Sequence, residues 1–175
     1  AEVPPPVAGE TVNVSESRGR VRVKMPGSDE FFELEDVQQV PVGSTFDTSR
    51  GRVNLIAAGQ QKSWFYQGVF RIRQTRGARP LSTLTLTGQL ACGRGATTAQ
   101  RRKKRRLWGD GKGKFRTKGK HSAATVVGTR WLVEDRCTST LTRVVRGRVK
   151  VRDFAKKKTV TVRAGKRYTA RAKKR

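Results

Sequence analysis

An all-β fold, a sandwich or roll of short antiparallel strands with a basic loop insertion, follows from three features of the sequence. Valine outnumbers leucine 20 to 9, and β-branched side chains favour pleated over helical backbone. Apolar and polar residues alternate at period two in segment after segment, most strictly where Val149 and Val151 separate Arg148, Lys150 and Arg152. No window keeps a 3.6-residue apolar period over three turns, so long amphipathic helices are not expected.

Residues 1–10, with Pro4-Pro5-Pro6, read as an extended polyproline lead-in. Residues 11–92 form the first half of the β domain. Thr11–Val14 is a short strand, Arg18-Gly19 a turn, and Val21 and Val23 alternate with Arg20, Arg22 and Lys24. Pro26-Gly27-Ser28-Asp29 has turn chemistry, and Phe31, Phe32 and Leu34 open a strand inside an acidic patch of Asp29, Glu30, Glu33, Glu35 and Asp36. Thr45–Thr48 precedes a turn at Arg50-Gly51, after which Val53, Leu55 and Ile56 follow. Arg-Gly-Arg-Val occurs at 18–21, 50–53 and 146–149; single copies at strand starts favour a glycine turn feeding a strand over a disordered RGG-like box. Gln60–Ser63 reads as a loop. Trp64, Tyr66, Val69, Phe70 and Ile72 flank Gly68, and their interleaving with Val and Ile favours core over a base-stacking platform. Leu84 and Leu86, alternating with Thr83, Thr85 and Thr87, form another strand.

Residues 93–120 have the composition of a basic, glycine-rich loop. It holds the six-cation run Arg101-Arg102-Lys103-Lys104-Arg105-Arg106, then Gly109, Gly111 and Gly113. Residues 121–170 read as a β-meander with strands at Ser122–Val127, Gly128–Glu134, Thr140–Val145, Arg148–Phe154 and Thr159–Ala164. Its turns fall at Asp135–Ser139, Lys156-Lys157-Lys158 and Ala164-Gly165-Lys166. Residues 171–175 are a basic tail.

The net charge of +27 is unevenly spread. Residues 1–60 hold 6 basic and 9 acidic side chains, whereas residues 99–175 hold 28 and 4. Self-repulsion on that scale is relieved by bound anions, and solubility alone needs only about 2–8 charges. Side chains on one face of a strand sit roughly 6.7 Å apart, so alternating cations form rows suited to a polyanion.

Cys92 and Cys137 are the only cysteines. One disulfide is the simplest pairing and implies an oxidising compartment; two buried thiols are the alternative. The start at Ala1 resembles a mature end after leader removal, and no apolar run of about 18 residues predicts a membrane span. A secreted or extracellular, cell-surface-associated protein is therefore expected.

No catalytic constellation, cofactor or metal site is expected. His121 is the only histidine, and Lys120 and Ser122 beside it compose no triad. The acidic patch lacks the alternating ligands and central glycine of a calcium loop, and two cysteines without a histidine pair do not make a structural zinc site. The glycine string lacks the Gly-Lys-Ser/Thr of a P-loop.

Two groups of residues resemble the FecR-type domain. Thr125-Val126-Val127-Gly128-Thr129-Arg130-Trp131-Leu132-Val133 is followed by Gly147-Arg148-Val149-Lys150-Val151 and by Val160-Thr161-Val162-Arg163-Ala164-Gly165-Lys166. Upstream, Gly19–Val23, Val42-Gly43-Ser44 and Thr48–Val53 are similar to the earlier part of that domain. Lys166 stands where the family has Gln. The resemblance implies an extracytoplasmic all-β domain, as in secreted proteins of high-GC Gram-positive bacteria. Members signal through an anti-sigma segment, for which this chain has no counterpart.

The expected function is non-catalytic, sequence-independent binding of a polyanion, either nucleic acid or another anionic polymer. Arg101, Arg102, Lys103, Lys104, Arg105, Arg106, Lys112, Lys114, Arg116, Lys118 and Lys120 are the main candidate contacts. Arg148, Lys150, Arg152, Lys156, Lys157 and Lys158 form a second row. The acidic 29–36 region, set against so much basic surface, suits head-to-tail association into a homo-oligomer or filament. A cell-surface module docking anionic wall polymer, or taking part in envelope signalling, is the alternative.

Overall fold

Two long strand pairs organise the molecule, and the same local arrangement is built around each. The computed structural model describes residues 2–101 and 103–174. In chain order its strands are β1 (Thr11–Lys24), β2 (Phe31–Glu33), β3 (Gln38–Pro41), β4 (Thr45–Ala57), β5 (Gln61–Tyr66), β6 (Val69–Gln74) and β7 (Ser82–Leu86). A single-turn helix α1 (Thr98–Arg101) precedes β8 (Arg105–Lys118), β9 (Ser122–Asp135), β10 (Ser139–Arg146), β11 (Arg148–Asp153), β12 (Lys158–Arg163) and β13 (Arg167–Arg171). The all-β expectation holds.

In the first half, β1 runs antiparallel along one edge of β4, while β5 and β6 share the other edge. In the second half, β8 runs along one edge of β9, while β10 and β11 share the other. Gln67-Gly68 and Gly147 mark the corners between those paired short strands.

The halves join because β5 and β7 both pair with the free edge of β8, β7 in parallel. With β6 pairing β7, strands β4, β5, β8, β7 and β6 close into a ring, which removes their open edges. Phe46, Phe65, Phe70 and Phe115 fill it, with Leu55, Ile72 and Leu84, all at most 1 % exposed. The aromatic centroids lie 5.2–5.6 Å apart from Phe46 through Phe70 and Phe65 to Phe115, spacing at which ring pairs add to simple burial. Trp131 continues the cluster edge-on to Phe65 at 6.0 Å.

Several sequence expectations change here. Residues 93–120 are not simply a loop: half of them, Arg105–Lys118, form β8, a central strand. Its inward positions are Leu107, Gly109, Phe115 and Thr117, a period-two pattern masked by the glycine and by the flanking cations. Gly109 is small for packing rather than for flexibility, because an added Cβ would lie 2.5 Å from the Trp131 ring. Gly109→Ala is expected to cost about 1–3 kcal/mol by overpacking, read as a lower denaturation midpoint.

Arg18-Gly19 and Arg50-Gly51 are not turns either. Gly19 stands opposite Gly51 within the β1–β4 pair, beside register shifts that bend it. A Cβ on Gly51 would lie 2.6 Å from the Arg18 and Arg20 carbonyl oxygens, so glycine there permits close strand approach. The third Arg-Gly-Arg-Val copy does not reverse the chain either: Gly147, at φ +80°, is a bend between β10 and β11, which follow one another along the same edge of β9. Gln60–Ser63 is not a loop, since β5 starts at Gln61 after a tight turn at Gly59-Gln60 with both φ positive. The two strands expected over 122–134 are one continuous β9, and the C-terminal region is not a plain meander: β11 pairs β9 rather than β10, and β13 is added beside β10.

Asp153, fully buried at the end of β11, joins the two wings of this second half. It accepts a hydrogen bond from the Tyr168 hydroxyl of β13 at 2.6 Å and another from the Lys156 N–H. Burial pushes the carboxyl up, but these hydrogen bonds outweigh it and hold Asp153 below its ordinary range. The bond to Asp153, with burial, pushes Tyr168 up to about 12. The tyrosine contribution is therefore complete below pH 10 and is lost as pH rises towards 12; the aspartate contribution is present above about pH 4 and is lost in acid. Tyr168→Phe is expected to cost about 1–3 kcal/mol and to flatten the alkaline limb of stability against pH.

Candidate anion-binding face

The strand register brings cations from four strands onto one outward surface. From β6 to β12 the partners run Arg73, Thr83, Arg116, Thr125, Lys150 and Thr161. The neighbouring row runs Arg71, Thr85, Lys118, Ala123, Arg152 and Thr159. Between them lie the inward residues Ile72, Leu84, Thr117, Ala124 and Val151, which bury against the core and hold the outward set on the opposite side.

Cations thus alternate with threonines or alanine across the sheet. Strands about 4.8 Å apart place successive cations of a row, on β6, β8 and β11, about 9–10 Å apart. Lys114 and Val127 face each other one step further along, and Arg148 stands directly opposite Arg163, a like-charge pair that disfavours folding unless an anion intervenes. Neither row contains an acid, and among the described residues none of these cations forms an ion pair. Arg116 donates from Nε to Thr83 Oγ1 at 3.1 Å and Arg71 from Nε to the Gly43 carbonyl at 3.1 Å, so two guanidinium groups are positioned before any ligand arrives.

Of the residues expected from sequence, Lys114, Arg116, Lys118, Arg148, Lys150 and Arg152 meet on this face. Lys156, Lys157 and Lys158 are exposed at the β11–β12 turn beside it. Much of the six-cation run has another role. Arg105 is three-quarters buried, donating to Asp135 at 2.9 Å and to the Gly88 carbonyl at 2.8 Å. Lys104 and Arg106 each lie 3.8 Å from the buried Glu134 carboxylate, which Arg136 also approaches at 3.5 Å. Arg101 and Lys103 are exposed around α1, and Arg102 lies outside the described residues. Lys112 faces Lys62 across β5. The Lys120 N–H donates to Asp135, and its Nζ and the His121 ring both approach the Cys137 carbonyl, at 3.4 and 3.2 Å. Sequence reasoning missed Arg71, Arg73 and Arg163 as members; the alternation of Thr83, Thr85 and Thr87 beside them was the available signal.

A second outward surface carries aromatics. The cluster at 64–70 splits: Phe65 and Phe70 are core, but Trp64 and Tyr66 face out. Trp108 of β8 stands opposite Tyr66, with rings 5° from parallel and centroids 6.1 Å apart. Arg130 lies 5.4 Å from the Trp108 centroid and reaches the Tyr66 hydroxyl at 3.2 Å; Arg52 and Lys62 lie 5.8 and 5.3 Å from that of Trp64. Asp110, the acid of this surface, accepts from Arg146 at 2.6 Å.

Cys92 and Cys137 are bonded, with Cα atoms 5.3 Å apart, tying the β7–β8 connection to the β9–β10 turn. Among the described residues no cluster of three or more His, Cys, Asp or Glu side chains could hold a metal ion, and no helix is long and apolar enough to cross a membrane. No protein-family model matches the chain, and the comparison with curated proteins and with solved structures finds no match.

Proposed function

We propose that the chain is a non-catalytic, extracellular polyanion-binding protein that contacts its ligand through the outer face of β6, β7, β8, β9, β11 and β12. One observation carries this reading: two parallel rows of Arg and Lys, spaced by threonines and one alanine, without an acid in either. Phosphate oxygens suit both the cations and the threonine hydroxyls, and backbone contacts of this kind do not read base sequence. The disulfide supports placement in an oxidising compartment. The FecR-type resemblance supports the same placement, and its two groups of motifs fall in the two similarly built halves.

Fluorescence anisotropy with nucleic acid, and separately with anionic wall polymer, tests the reading. Six to ten phosphate contacts lower affinity about 10³–10⁵-fold between 50 and 200 mM salt. A flat salt response defeats the proposal, and preference for wall polymer moves it to the cell-surface alternative.

One observation favours self-association as well. The sheet path ends at β2 on one side and at β12 on the other. Glu35 and Asp36 follow β2 and are exposed, Glu33 pairs with Arg20, and Lys158 and Arg163 lie on β12. Acidic and basic edges on opposite ends suit head-to-tail growth. Size-exclusion chromatography and negative-stain imaging, with and without nuclease, separate a self-made fibre from one that needs nucleic acid.

A further inference from the structure

The aromatic surface differs in chemistry from the cation rows, and nothing in the fold requires it. Phe65 and Trp131 already occupy the inward positions of β5 and β9, so Trp64, Tyr66 and Trp108 spend their rings on the outside. Open clefts flank them: one of about 400 Å³ beside Trp64, one of about 500 Å³ beside Tyr66. The basic side chains over the rings are long, flexible and at the surface.

We infer that this surface stacks unpaired bases, and that the polyanion is single-stranded nucleic acid. Every base has a π-face, so an aromatic row tolerates any sequence, and base stacking outweighs an exposed cation–π contact. An arriving base displaces Arg52, Lys62 or Arg130 from its ring. The displaced cation remains beside the base and pairs with its phosphate. Asp110 does not oppose this, because Arg146 holds it. The two surfaces are also continuous, since β8 runs from Trp108 to Lys114, Arg116 and Lys118. A strand lying along β8 stacks its bases at one end and sets its backbone on the cation rows at the other. A duplex hides its base faces, and a wall polymer has none.

This inference rests on the polyanion reading for its phosphate contacts, and the test separates the two. The full chain is titrated with oligothymidylate about 16 nucleotides long, with an abasic oligomer of the same length, and with a duplex, following tryptophan emission. Of the three tryptophans, Trp131 is 0 % exposed and reports only on folding. Oligothymidylate is expected to quench emission and to bind about tenfold or more tighter than the abasic oligomer. Trp64→Ala and Trp108→Ala each weaken oligothymidylate about tenfold and leave abasic affinity unchanged; that unchanged affinity shows each variant is folded. Trp64→Phe restores most of the loss. Equal affinity for thymidylate and abasic oligomers, or equal weakening of both by the alanine variants, overturns the inference while leaving polyanion binding intact. Failure to bind any of the three removes this inference and leaves the polyanion reading only in its wall-polymer form.

Discussion

Glutamine at Arg73, Arg116 and Lys150 together is expected to weaken polyanion binding by two to three decades at 0.1 M salt. These residues form one row across six strands. Each phosphate contact adds about 0.9 to the salt slope of duplex DNA and about 0.7 to that of a single strand, so three lost contacts reduce the slope by about 2–3. The loss should be uniform across sequences, because no base edge is read. The same variant should not lose stability at low salt. None of the three pairs with an acid among the described residues, so their removal relieves self-repulsion. Weaker binding with an unchanged or raised melting temperature is the expected pair of results. The matched control is glutamine at Lys104 and Arg106, beside buried Glu134, which should cost stability instead. An unchanged salt slope in the row variant would falsify the assignment of this face.

Serine at both Cys92 and Cys137 is expected to lower stability by about 4 kcal/mol. The bond spans 45 residues, and closing a loop of that length removes about that much unfolded-chain entropy at 25 °C. Valine, leucine, isoleucine and phenylalanine together are 38 of 175 residues, a modest core for a domain of this size, so the cross-link is a large share of what holds it. Guanidinium unfolding with and without reductant measures the change. Binding by whatever folded protein remains should be unaltered, because the cation rows are set by strand pairing and neither cysteine belongs to them. A shift below about 1 kcal/mol would mean that the Arg105–Asp135–Thr140 network already holds the β7–β8 connection in place. Bound polyanion should recover part of the lost stability by mass action.

The strands easiest to read were those whose inward positions are all apolar. Val149 and Val151 between cations, or Leu84 and Leu86 between threonines, leave one face for a core and one for water, and they are so used. β8 was hidden because its inward set includes Gly109 and Thr117. The glycine makes sense only beside the Trp131 ring, and Thr117 only as the partner of the Trp131 indole N–H, 3.0 Å from its hydroxyl. Arg18-Gly19 and Arg50-Gly51 looked like turns because glycine allows both a reversal and close strand approach; the choice depends on a partner strand some thirty residues away. Trp64 and Tyr66 were placed in the core because hydrophobicity is a property of the residue, whereas the face it occupies is set by register, and a one-residue shift exchanges the two faces.

From the residues alone came the all-β class, the cysteine pair and the excess of positive charge, since backbone propensity, a count of two and formal charge require no neighbours. Which cations stand together was decided only when β6, β8 and β11, up to some eighty residues apart in the chain, were set in register within one sheet. Tertiary pairing also determined which cations are already spent. Arg105 and Arg106 belong to the most conspicuous run in the sequence, yet they face Asp135 and Glu134, while Arg71 and Arg73, unremarked in the chain, stand in the open rows. Charge is local and additive, but availability depends on what the fold brings within a few ångströms.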